Sequence, residues 1–138
     1  MKSDSDSLKL RDNVSVVRYA GSPRIRKMID DSQFVEAFVH TQLAIEKILW
    51  DKIAGVLSGE RGSKFRGTVD NWKGHTYTSE LIKWAFFLGA IEHDDLVALS
   101  DFNDKRNRVV HRHGEWWSAK DHMEALEKGI RFIQKNGF

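Results

Sequence analysis

Apolar positions recur at helical spacing along most of the chain. In "DDSQFVEAFVHTQLAIEKILWDKIAGVLSG", Phe34, Phe38, Ile45, Leu49, Ile53 and Val56 follow one another at intervals of three, four or seven, the repeat of one helix face. Asp31 or Ser32 can cap its start, and Gly59 is a suitable stop. "TSELIKWAFFLGAI" is apolar nearly all round, with Thr78 or Ser79 at its start; such a helix belongs in the middle of a bundle. "EHDDLVALSDFNDKRNRVVHRHG" predicts a third helix with an acidic first turn, ending near Gly114. "EWWSAKDHMEALEKGIRFIQKNGF" predicts a fourth, with Trp117, Met123, Leu126, Ile130 and Ile133 on one side. No run alternates with the period of two that marks a half-buried strand. The pattern predicts an all-α bundle of four main helices, plus a short helical turn in the glycine-bearing connection over 60–79.

Residues 1–30 read differently. Apart from "VSVV" they are polar and mixed in charge, and they close on "GSPRIRK". The expected organisation is a flexible polar and basic arm over 1–30 and one helical domain over 31–138. Arg18, Arg24, Arg26 and Lys27 make the arm basic enough to touch a polyanion, although charge-rich ends are commonly just solvated.

Composition narrows the classes. The chain has 138 residues, 41% hydrophobic and 30% charged, the make-up of one ordinary globular domain. Cysteine is absent, which excludes a disulfide framework and thiolate chemistry and suits a cytoplasmic protein. The longest apolar run, "WAFFLGAI", is far short of a membrane span. "MKSDSDSLKL" has no apolar core of a secretory signal, so no membrane partner is expected. A formal net charge of +2 does not by itself announce a nucleic-acid binder; the placement of the charges matters more.

That placement is informative in "DKRNRVVHRHGEWW" (104–117). On a wheel of about 100° per residue, Leu96, Leu99, Phe102, Val109 and Val110 fall within an arc of roughly 140°. Arg106 lies near the middle of that arc. A guanidinium cannot shed its charge, so it needs a buried acid, a phosphate ligand or a subunit interface. Asn107 and His111 share an i, i+4 row at the edge of the same stripe. Arg108 and Arg112 form another row on the solvent side. An imidazole beside a fixed cation suits RNA cleavage without a metal: the histidine moves a proton at the 2′-hydroxyl or the leaving oxygen, and the arginine stabilises charge on the phosphorane. The structural alternative pairs Arg106 with a buried carboxylate and leaves His111 as a helix-end histidine favoured by the dipole.

"RNRVVH", with Arg106, Asn107 and His111, resembles the signature of the HEPN superfamily, an Arg often followed by a polar residue with a His four to six positions on. "TQLAIEKIL" in the first long helix resembles the Q-x-A-x-E-K-x-L segment of many HEPN proteins, and the helix order is similar over about residues 31–136. The resemblance implies a metal-independent endoribonuclease without a cofactor, acting as a homodimer in which the Arg and His of both chains meet at one composite site. It implies Arg106 and His111 as catalytic residues and Asn107 as their support. Glu46 would be a partner of Arg106 or an orienter of the site. Arg108, Arg112, Lys105 and Arg66 are candidate RNA contacts. The family also implies a toxin or defence context with an antitoxin or other partner protein. One departure is His113, which stands where toxins modified by adenylylation carry a Tyr; that puts this form of control in doubt and leaves His113 as a supporting residue or RNA contact. Many HEPN members lacking the signature are non-catalytic binding or scaffold modules, which is the alternative function.

Other motifs are weaker. His93-Asp94 matches the pair of metal-dependent phosphohydrolases, but His75, His40 and Asp121 have no supporting context. His111 and His113 lack acidic or cysteine co-ligands, so no metal site is expected. Trp84, Phe86, Phe87, Trp116 and Trp117 suit packing in a core or dimer more than base stacking. Arg61, Lys64, Arg66 and Lys73 make the 60–79 connection basic.

Overall fold

The computed structural model describes residues 19–61, 77–111 and 119–138. Among them are five helices and no strand: α1 (Ser22–Asp30), α2 (Phe34–Arg61), α3 (Thr78–Phe87), α4 (His93–His111) and α5 (Ala119–Lys135). The protein is an all-α bundle. Helix α2 is its axis and touches each of the other four helices, while α4 packs along α5.

The helices form where the apolar repeat is strongest. Phe38, Ile45, Leu49 and Ile53 of α2 are buried, as are Leu99 and Phe102 of α4 and Leu126, Ile130 and Ile133 of α5. Phe38 and Phe102 stack with ring centroids 5.5 Å apart, joining α2 to α4 at the centre. Helix α5 reaches this pair because position 129 is glycine. A Cβ there would lie 2.6 Å from Cδ1 of Phe102 and 3.0 Å from Cγ2 of Thr41.

Three features depart from the sequence pattern. The first lies within the expected arm: residues 22–30 are the helix α1, with Ile25 and Met28 in the core. Pro23 sits in its first turn, where a missing N–H costs nothing. Ser22 N–H donates to the Phe138 carbonyl at 2.7 Å, and Arg26 grips Glu127 of α5 in a two-pronged pair of 3.1 and 2.8 Å. Residues 1–18 lie outside the described residues.

The second concerns α3, which is not enclosed. Leu81, Ile82 and Ala85 are buried, but Trp84 is 57% exposed and Phe87 74%. The third is at the caps. Ser32 does not cap α2 but adopts φ +61°, closing α1 with hydrogen bonds from its own N–H to Ile29 and from Gln33 N–H to Met28, a Schellman turn. Helix α3 starts from Tyr77 with no side-chain cap, because the Thr78 hydroxyl is used elsewhere. Helix α2 runs two residues past Gly59. The expected turn in the 60–79 connection and the region around Gly114 fall mainly outside the described residues.

Candidate functional site

The buried face of α4 is Leu99, Phe102 and Asn103. One turn further on, the same face meets the end of the core, and there stands Arg106. Its position follows from the helix repeat: three and four residues after two anchored side chains, its stem is covered while its head reaches the surface. Arg106 is half-buried, and its Nε is buried without a hydrogen-bond partner among the described residues. Its Nη1 donates to Asn107 Oδ1 at 3.1 Å. Loss of water around the guanidinium lowers its pKa, and the negative charge of Glu46 partly opposes that. The group stays cationic all the same, since a guanidinium keeps its proton in proteins.

Glu46 does not pair directly with Arg106. Its Oε2 accepts hydrogen bonds from Gln42 Nε2 at 3.0 Å and from the Thr78 hydroxyl. Gln42 Nε2 also lies 2.8 Å from Thr78 Oγ1. Gln42 and Glu46 are one turn apart on α2, so this triangle fastens α2 to the first residue of α3 and sets a fixed negative charge near Arg106.

Arg106, Asn107, Arg108 and His111 of α4 line an open groove of about 620 Å³, with Asn103 and Asp104 before them and Gln42, Tyr77, Thr78 and Ser79 opposite. His111, in the last turn of α4, is exposed and faces this groove. The groove therefore holds a fixed cation with an unused buried donor, an amide and an imidazole. Arg108 is half-exposed and lies 3.4 Å from Asp104. Lys105 points elsewhere: only 17% of its side chain is exposed, and its ammonium bonds Asp101 at 2.9 Å. The Asp101 contact raises its pKa in spite of burial. Arg66, Arg112 and His113, with Trp116, Trp117 and His75, lie outside the described residues.

His93 opens α4 with its ring 5.9 Å from that of Phe86. Among the described residues no group of three or more acidic or histidine side chains is arranged to hold a metal ion.

Sequence reasoning did not single out Tyr77, Thr78 or Asn103 for this groove. Asn103 left a trace, since an amide between Leu99 and Arg106 on an apolar face is anomalous in the same way as the arginine. Tyr77 left none. Compared with known proteins, the chain matches no family model, no curated protein and no solved structure. No helix among the described residues is long and apolar enough to cross a membrane.

Proposed function

We propose that the protein is a metal-independent endoribonuclease of the HEPN type, with Arg106 and His111 of two chains forming one composite site. The observation that carries this reading is the unpartnered buried Nε of Arg106 on a groove that His111 also lines. A buried donor left unpaired costs about 1–3 kcal/mol, more for a charged group. A phosphate oxygen placed there removes that cost. In the reaction, a His111 imidazole takes the 2′-hydroxyl proton as that oxygen bonds to phosphorus. The P–O5′ bond breaks, the leaving O5′ receives a proton from the other chain's His111, which enters the step as the imidazolium, and a 2′,3′-cyclic phosphate remains. Arg106 offsets charge on the pentacovalent phosphorus, and Asn107 holds the guanidinium in place.

A homodimer is part of the proposal. Val97, Ser100, Asp104, Asn107 and His111 are all exposed and follow one another along α4. At one end of this line Val97 and Phe87 border an apolar hollow; at the other is the groove. A second copy seated on the hollow would run along the line towards His111. The same surface suits the alternative, a non-catalytic module that binds a partner protein such as an antitoxin, in a toxin or defence setting.

The test is incubation of the purified chain with single-stranded RNA in excess EDTA. The expected result is internal cleavage leaving 2′,3′-cyclic phosphate and 5′-hydroxyl ends. Activity that vanishes on chelation and returns with a divalent cation contradicts the mechanism, and intact RNA under all conditions favours the binding module.

A further inference from the structure

We propose that the wall of the groove opposite His111 reads a base: Tyr77 stacks on one nucleobase of the RNA, and Asn103 with Gln42 selects adenine or cytosine, the bases whose Watson–Crick edge sets an exocyclic amine beside an acceptor ring nitrogen. The inference rests on the ribonuclease reading only for the nature of the ligand. Its residues are distinct from Arg106, Asn107 and His111.

Three observations converge. First, Asn103 is 9% exposed, the most buried side chain lining the groove, and its amide makes no hydrogen bond to any described residue. A carboxamide brings two donors and an acceptor, and here they are left free for a ligand at the floor of the groove. Second, Gln42 is fixed in direction. The Glu46 carboxylate can only accept, so the Gln42 amide nitrogen must face it, as it does at 3.0 Å. Its carbonyl Oε1 then points away, and it has no partner among the described residues. Third, Tyr77 is 78% exposed at the start of α3, makes no ring contact with a described residue and lines the same groove. A free aromatic face beside a free amide and a second amide's unused carbonyl is the make-up of a single-strand base site, where stacking supplies affinity and base edges supply choice. The volume of about 620 Å³ is within the range of roughly 300–1,000 Å³ found for small-ligand sites.

The donor pattern sets the preference. Two amide carbonyls, from Asn103 and Gln42, can each take one hydrogen of an exocyclic amine, while the Asn103 nitrogen donates to the adjacent ring nitrogen. On the Watson–Crick edge, adenine and cytosine present an amine next to an acceptor nitrogen. Guanine and uracil present a carbonyl at the corresponding place, which would meet the fixed Gln42 oxygen acceptor against acceptor.

The experiment is binding of fluorescent 2′-O-methyl octanucleotides of A, C, G or U to the full chain, read by anisotropy. The methyl group blocks the attacking hydroxyl, so cleavage does not interfere. A and C are expected to bind about tenfold more tightly than U or G. Tyr77→Ala is expected to weaken A and C by about tenfold, and Tyr77→Phe to preserve them. Asn103→Leu, which removes the amide and keeps the side chain's size, is expected to leave the melting temperature within a few degrees of wild type while abolishing the preference. Equal binding of all four oligomers, no binding of any, or full affinity in Tyr77→Ala overturns the proposal. If the preference is present but no RNA is cut, the subsite stands and the ribonuclease reading fails. Cleavage without base preference, unaffected by Tyr77→Ala, has the opposite meaning.

Discussion

At the scale of single residues, the protein depends on a few positions where side-chain identity is dictated by what lies opposite. Gly129 is one. A methyl group there would meet the Phe102 ring at 2.6 Å, and that ring is held against Phe38. Alanine favours a helix over glycine by about 1 kcal/mol, but overpacking a core costs about 1–3 kcal/mol. The clash should win, so Gly129→Ala is expected to lower the melting temperature by several degrees. A rise in melting temperature would mean that α4 and α5 do not cross this closely. Arg106 is the opposite kind of position, tolerated in the structure with a buried donor unused. Its anomaly is legible in the sequence, because a charge on an apolar arc is visible on a helical wheel. The role of Glu46 is less so. Sequence spacing places Gln42 and Glu46 in one row, but that Thr78 joins them, and that Glu46 acts on Arg106 through space, depends on how α3 is set against α2.

At the scale of elements, α2, α4 and α5 are legible because each carries a long apolar repeat. Helix α1 is not. Its two core anchors, Ile25 and Met28, are set among basic residues that read as a solvated arm, and besides packing on α2 it is tied by Arg26 to Glu127 and by Ser22 to Phe138, partners about a hundred residues away. Helix α3 misleads in the other direction: an apolar surface all round predicts enclosure, yet Trp84 and Phe87 face outward. The ion pairs between helices carry a pH dependence. The hydrogen bond from Arg26 holds the Glu127 carboxyl below its ordinary pKa, against the effect of burial. Burial is the largest influence on Asp101 and would raise its pKa, but hydrogen bonds from Lys105 and Lys128 together outweigh it and bring it down. A carboxyl with a depressed folded pKa stabilises the fold above its unfolded value, about 3.9 for Asp and 4.3 for Glu. That contribution is lost as pH falls through the folded value. Both groups are partly exposed, so the contribution is modest and screened by salt. The melting temperature is expected to be level from pH 7 to about 5 and to fall below about 4, with a shallower fall in Glu127→Gln and Asp101→Asn. A wild-type melting temperature unchanged down to pH 2.5 would contradict these pairings.

At the scale of the whole molecule, the bundle brings residues from α2, α3 and α4 to one groove while leaving an apolar hollow on α3 and α4 uncovered. The sequence discloses the α4 side of the groove, because Arg106, Asn107 and His111 lie close together in the chain. It does not disclose the opposite side, since Gln42 and Tyr77 meet only through the packing of α3 on α2. What decides the function of the molecule is whether the α4 side of the groove does chemistry. His111 is the cleanest probe, being exposed at the end of a helix, where replacement leaves the core intact. The most direct measurement is the rate of RNA cleavage by His111→Ala against wild type, with matching melting temperatures as the control. General acid–base catalysis is typically worth about 10²- to 10⁴-fold, so a drop of at least about 100-fold is expected. Cleavage by wild type that persists within a few-fold in a folded His111→Ala protein would contradict the central claim.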